Sequence, residues 1–309
     1  MKRCFIKPIY LLILIIFFFS CGSAKKDTMS LKIGLMPAVD SAPMFIAEKK
    51  GYFEKNGLDI EIKIYTNAQN RQSALQTDSI DGAMTDLIAA AINVSGGFNI
   101  KATMTTNGMF PVLARPEKVN AKNIKLGLME VSVSNYLADT WLSDNYTIEK
   151  VYVNEIPVRL EAVVSGKLDM GIFPEPIASI GEMKGLKKII YEYESGYCPD
   201  VMVFTEKALR RKKEAITAYH TAYNMAVEDI NKNKDEARTI LVESIPNVEN
   251  SIKNKITLPT YTKARLPENS YLQDIISWTV EVVDGRLDVT PQDIIDRRFV
   301  NTKSISAFK

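Results

Sequence analysis

Several side chains able to grip a small polar molecule fall at the ends of short apolar runs. Asp40-Ser41 follows the run 31–36, Thr85-Asp86 follows 81–84, and Glu175 lies between Pro174 and Pro176, directly after Phe173. A carboxylate only accepts hydrogen bonds, so Asp40, Asp86 and Glu175 suit a ligand with N–H donors or positive charge. Ser41, Ser132 and Ser134 begin helix-like segments, where free backbone N–H groups favour anions and acceptors. Asp40, Asp86 and these serines also have a plainer role as helix caps, and the two roles are compatible. Asn67 and Pro157 open two further helices. Glu175 is the sharpest candidate, because the flanking prolines restrict its backbone. Its carboxylate is expected to meet ligand nitrogen. Arg159, in the first turn of a helix, suits a carboxylate, phosphate or sulfonate, or else the surface. Phe45, Phe110, Phe173 and Tyr197 can stack on a ring or fill a core. Tyr197 and Asp200 flank Cys198, which is read as inert, and stand just before the return crossing, where they can be presented to the cleft. His220 is the only histidine, so a Cys/His metal site is excluded, and no nucleophile stands beside a base. No catalytic residue, metal or cofactor is expected.

A repeated element would position these residues. The stretch 74–84, ALQTDSIDGAM, returns 88 residues later as AVVSGKLDMGI at 162–172. Thr77 meets Ser165, Ile80 meets Leu168, and Asp81 meets Asp169. Upstream, Ile33-Gly34-Leu35-Met36 is echoed by Leu126-Gly127-Leu128-Met129 at an offset of 93. Two matches in one order at nearly one offset imply two α/β lobes of related build. In the first, 31–36 predicts a buried strand. Alternation of Ile60, Ile62 and Ile64 with Glu61 and Lys63 predicts a half-exposed strand over 58–65. Helices are expected over 44–50, from 68 through 75 and over 87–94, with a third strand at 81–85. That order implies a parallel sheet, and ligands gather at the carboxyl ends of such strands. In the second lobe, strands over 125–131, 151–153 and 169–173 repeat the plan, with a further strand at 187–193. Glu175 then stands where Asp86 stands in the first. Crossings are expected near 112–116 and at 198–204, and two crossings make a hinge that closes around a ligand. Helices over 206–233, 235–244 and 270–284 complete the chain, with the charge run 210–214 on a solvated face.

The first 20 residues differ. Lys2, Arg3 and Lys7 precede an unbroken apolar run over 9–19, then Ser20-Cys21. This is the pattern of an export signal, with a lipobox-like site that would make Cys21 the lipidated first residue. An ordinary secretory signal and an uncleaved anchor are the alternatives. The run is short for a membrane-spanning helix, and residues 21–30 read as a flexible tether. The chain of 309 residues carries 39 basic and 37 acidic groups; losing the leader leaves 36 basic, and +2 becomes −1. That balance argues against nucleic-acid binding. Cys4 leaves with the leader and Cys21 takes lipid, so Cys198 has no disulfide partner.

The residues Gly34, Pro37, Pro43, Ala47-Glu48-Lys49-Lys50-Gly51-Tyr52-Phe53, Gly57-Leu58-Asp59-Ile60-Glu61, Ala74-Leu75 and Ile80-Asp81-Gly82-Ala83 carry a resemblance. The sequence resembles the solute-binding proteins of ABC importers in the thiamine-precursor, nitrate, sulfonate and taurine group. The resemblance implies a two-lobed, periplasmic-binding-protein-like α/β fold, with two parallel-type sheets joined by a hinge. Lobe I would take 31–113 plus 205–309, and lobe II 114–204. It also implies a monomeric receptor in the cell envelope, a permease partner, and a Glu-Pro pair lining the cleft. Ligand contacts are expected from Asp40, Ser41, Asn67, Thr85, Asp86, Ser132, Ser134, Pro157, Phe173, Glu175 and Tyr197. Nitrate, sulfonates, pyrimidines and flavins stay open by resemblance. A nitrogen-containing aromatic, such as a pyrimidine thiamine precursor, is preferred because Glu175 and Asp86 can accept N–H bonds. The family's relatives include pyrimidine synthases with a cysteine-rich motif; that motif is missing here, and no enzyme activity is carried over. A ligand-binding sensor domain is a third reading.

Overall fold

The computed structural model describes residues 28–285 and 287–300. The leader, Cys21 and most of the tether lie outside the described residues. The strands are β1 (Ser30–Leu35), β2 (Asp59–Ile64), β3 (Gly82–Asp86), β4 (Ile100–Thr105), β5 (Val112–Ala114), β6 (Asn123–Leu128), β7 (Thr147–Tyr152), β8 (Met170–Ile172), β9 (Lys187–Ile189) and β10 (Asp200–Thr205). The α-helices are α1 (Ala42–Lys49), α2 (Tyr52–Lys55), α3 (Ala68–Gln76), α4 (Leu87–Ser95), α5 (Val133–Trp141), α6 (Ile156–Val164), α7 (Ile177–Met183), α8 (Glu206–Arg211), α9 (Lys213–Lys232), α10 (Lys234–Ser244), α11 (Asn269–Val282) and α12 (Pro291–Ile294).

The strands form two five-stranded sheets, ordered β2-β1-β3-β10-β4 and β7-β6-β8-β5-β9. In each, the first three strands are parallel, joined by helical crossovers. The strands that enter from the other lobe run against them: β10 is antiparallel to β3 and β4, and β5 to β8 and β9. The lobe boundaries therefore move from those expected. Val112 and Leu113 belong to the second sheet, and 200–204 to the first. The crossings are 106–111 and 190–199. The expected helix over 206–233 breaks at Lys212, between α8 and α9.

Edge strand β2 alternates exposed charge with half-buried isoleucine, whereas central β10 is buried throughout, as a strand covered on both faces must be. One face of the first sheet packs beneath α1, α9 and α10 around Leu35, Met44, Phe204, Tyr219 and Leu241. The other packs beneath α4 and α11 around Ala83, Leu87, Val203 and Ile275. The second lobe has the same two-sided arrangement.

The repeat is visible in atomic detail. Asp81 and Asp169 precede equivalent strands, and each accepts the backbone N–H at the third position of the lobe's first strand: Lys32 at 2.8 Å and Lys125 at 2.9 Å. The reverse bonds, Asp81 N to Lys32 O and Asp169 N to Lys125 O, complete each pair. Gly34 and Gly127 are small for the same reason. A Cβ would lie 2.7 Å from Ile80 Cδ1 at the first and 2.6 Å from Leu168 Cδ1 at the second, with Arg71 and Arg159 beside them.

Candidate functional site

The carboxyl ends of β1 and β3 meet the start of β10 at the inner edge of the first lobe. Asp40 lies in the 3-10 turn Val39–Ser41, Asp86 ends β3, and Asp200 opens β10 directly opposite Asp86. Asp40 and Asp200 form a hydrogen-bonded carboxyl pair. Thr106 Oγ1 donates to Asp40 at 3.4 Å, and the Cys198 thiol donates to Asp200 at 3.5 Å. Gly108 lets the first crossing run against the pair, since a Cβ there would collide with the Asp200 carboxylate. Burial raises the Asp40 pKa to about 6, against the hydrogen bonds and the Arg71 charge that favour its ionised form. Asp200 is also pushed up, by burial and then by the charges of Asp40 and Asp86. Burial also raises Asp86.

Arg71, on α3, turns its guanidinium to this cluster. Nη2 donates to Thr85 Oγ1 at 2.9 Å, while Nε is buried without a hydrogen-bond partner. Burial lowers its pKa, opposed by Asp86, Asp200 and Asp40 in that order. The Tyr223 hydroxyl, buried and unpartnered, feels Asp40 and Arg265. Three carboxyls and one guanidinium thus face each other, with unspent donors and acceptors beside them.

The second lobe answers with Ser132 and Ser134 at the start of α5 and with Arg159. The serines do not cap the helix as expected. Ser132 Oγ donates to Met129 O at 2.7 Å, and Ser134 Oγ accepts from Met129 N at 3.2 Å, so they fasten the turn after β6. Arg159 is not at the surface: it is 3% exposed, and burial pulls its pKa down to about 10. Its Nη1 donates to Val153 O at 2.8 Å, it lies over the Phe173 ring at 5.3 Å, and its Nε has no partner.

Asp40 and Ser41 make no cap bond either. Ser41 Oγ donates to Met36 O inside the lobe. Thr85 is engaged by Arg71, and Asp86 caps α4 through Ala89 N at 2.8 Å. Asn67 caps α3 and also donates to Glu155 Oε1 at 3.3 Å, a bond between the lobes. Pro157 sits in the exposed first turn of α6. Phe173 is fully buried and serves the core. Tyr197 stacks under Arg265 at 4.3 Å and beside Tyr271.

Glu175 departs furthest from expectation. It is 0% exposed, and both carboxylate oxygens are taken by Ser179, Lys188 and Thr257 N. A carboxylate so occupied is not free to receive ligand nitrogen. Arg71 escaped the sequence reading although a signal existed: it stands 88 residues before Arg159, the offset of the repeat. Asp200 stands just before the return crossing, where the sequence puts it within reach of the cleft, but its pairing with Asp40, 160 residues away, left no signal.

Between the lobes, Trp278 Nε1 on α11 donates to Asp139 on α5 at 3.0 Å, and Trp278 meets Tyr136 edge-on. The lobes are therefore closed upon each other. Among the described residues, no group of three or more His, Cys, Asp and Glu is placed to hold a metal ion, and no helix is long and apolar enough to cross a membrane.

Solved structures share this architecture. The ligand-binding component of an ABC-type import system from Staphylococcus aureus, solved with zinc bound, superposes with a TM-score of 0.73 at 19% identity, covering 88% of this chain and 97% of that one. The aliphatic sulphonate-binding protein SsuA of Escherichia coli gives 0.71 at 14% identity, with 88% and 94% covered. The nitrate-binding protein NrtA of Synechocystis PCC 6803 gives 0.67 at 14%, with 86% and 84% covered. YtlA of Bacillus subtilis (strain 168) is 22% identical over 216 residues, 63% of this chain; the match spans only 65% of that protein's length. The sequence model of the NMT1-like family matches residues 24–244, the whole of both lobes' parallel cores together with the crossings and α9, and the chain accordingly belongs to the NMT1-like family.

Proposed function

We propose that the protein is the solute-binding component of an ABC importer, exported, anchored through lipid on Cys21, and docking on a permease as a monomer. Its ligand is a small organic molecule carrying N–H donors or positive charge, such as a nitrogen-containing aromatic. The observation that carries this reading is the Asp40–Asp200 pair at the cleft edge of the first lobe, with Asp86 close by. Buried carboxyls gain most from a ligand that supplies donors or positive charge, because burial has taken away their water. The fold is that of importer receptors, and the groups that would serve chemistry are spent elsewhere. Burial holds the Cys198 thiol protonated, and His220 is buried in α9 with Nδ1 on Ile216 O. The protein is read as a receptor and not an enzyme.

A second reading has a specific basis. Arg71 and Arg159, one from each lobe, both hold a buried Nε without a partner, which suits an anion of the sulfonate or nitrate type. Native mass spectrometry of the purified protein identifies a retained solute. Calorimetric titration of that solute into the wild type and Asp40→Asn then separates the readings. For a nitrogen donor, loss of a charge-assisted bond is expected to weaken binding about ten- to a hundredfold. Tighter binding in Asp40→Asn would move anions to the front.

A further inference from the structure

The groups that occupy Glu175 join three parts of the chain. Oε2 accepts Ser179 N at 3.1 Å and lies 2.7 Å from Ser179 Oγ; Oε1 accepts Lys188 Nζ at 3.0 Å and Thr257 N at 3.2 Å. Lys188 Nζ also donates to Lys255 O at 2.8 Å, and Ser179 Oγ lies 2.8 Å from the same carbonyl. The main chain of Glu175 donates to Met109 O in the first crossing and accepts Val39 N, next to Asp40. Residue 175 thus holds the second lobe to the Asp40 turn, to a crossing, and to the segment around the 3-10 turn Asn250–Lys255.

Topology puts all of this on one side. Both covalent crossings join the β10/β4 edge of the first sheet to the β5/β9 edge of the second, and Lys188 is on β9. The opposite edges are β2 and β7, and there Asn67 and Glu155 make an exposed bond. The chemistry divides the same way. Lys188 and Glu175, both in the second lobe, have side chains only 6% and 0% exposed, and drawing residues 250–258 away would strip the buried carboxylate of the Thr257 amide and deprive Lys188 and Ser179 of the Lys255 carbonyl. An exposed polar contact parts at little cost.

We propose that residues 250–258 form a third, non-covalent strand of the hinge, clasped to the second lobe by Lys188, Glu175 and Ser179. The cleft then opens at the β2/β7 edge while the clasp stays shut. Glu175 and Lys188 are positioning residues: they reach the ligand only through Val39 and Asp40. The idea does not depend on the identity of the solute.

Paired spin labels on unnatural side chains test it in the full chain without ligand. One pair, at Thr66 and Asn154, spans the rim; the other, at Lys187 and Asn254, spans the clasp. The rim pair is expected to show a distance distribution at least about twice as wide as the clasp pair, as hinge motion requires. Equal widths would overturn the proposal, because the clasp would then open with the rim. Lys188→Met is expected to widen the clasp distribution about twofold and Lys188→Arg, which keeps the charge, to leave it narrow. A clasp as narrow in Lys188→Met as in the wild type would also overturn it.

Discussion

Asp40 carries a burden that its neighbours only partly relieve. Its folded pKa of about 6 lies above the ordinary aspartate value of 3.8, so between those values the folded state binds more protons than the unfolded chain. The stability this contributes is present in acid and is lost as pH rises through about 6. Asp40→Asn keeps the shape and removes the buried charge. It is expected to be more stable than the wild type at about pH 8, by up to roughly 3 kcal/mol, with a higher melting temperature, and to match it only at about pH 3.5, below the unfolded value. Thermal unfolding at the two pH values decides this; a less stable variant at the higher pH would mean that the charge is well paired. A nitrogen-donor solute should bind more tightly as pH rises through the same window, since the carboxylate is the accepting form. The clasp behaves oppositely. Lys188→Met strands a buried carboxylate and is expected to cost about 3–5 kcal/mol.

At the scale of elements, the repeat is a repeated way of tying β3 to β1 and β8 to β6. Asp81 pairs with the Lys32 amide and Lys212 Nζ, and Asp169 with the Lys125 amide and Lys118 Nζ. Asp81→Ala and Asp169→Ala are each expected to cost about 1–3 kcal/mol, and to add when combined, since they lie in different lobes. Urea denaturation measures both; a large loss at one and none at the other would show that the two ties are not equivalent. The Asp169 contribution has a sign in pH as well. Burial pushes its carboxyl up, but the Lys125 amide and Lys118 outweigh that and leave it below the ordinary value. Its contribution is therefore present at neutral pH and lost as acid protonates it.

At the scale of the molecule, closure rests on unequal edges. Single polar contacts, Asn67–Glu155 at the rim and Trp278–Asp139 from α11, hold the lobes together apart from the two covalent crossings and the buried clasp. Removing these two contacts with Trp278→Phe and Glu155→Ala should favour the open form, raise the radius of gyration in small-angle scattering, and weaken solute binding about two- to tenfold. Unchanged scattering with unchanged affinity would place the closing energy elsewhere. Opening and closing would then be set by the solute alone, as expected when its differential affinity drives the equilibrium.

Much of this architecture is written in local pattern. Period-two alternation at Ile60, Ile62 and Ile64 marks an edge strand because only one face of it is covered, and the duplicated Asp81 and Asp169 mark two lobes because each must satisfy the same strand ends. The meeting of the carboxyl ends of β1 and β3 was legible for the same reason: strand order in parallel units follows chain order. What the sequence could not settle were the partners. Whether the Glu175 carboxylate faces a cleft or a lysine depends on Lys188, on Ser179 and on Thr257, 82 residues further on. Whether Asp40 stands alone or shares a proton depends on β10, which returns antiparallel from the other lobe. Arg159 was read as surface because a cation in a first helical turn is poorly placed, yet packing against Gly127 and Phe173 buried it. Burial and electrostatic pairing are sums over contacts distant in sequence, and only the tertiary structure decides them.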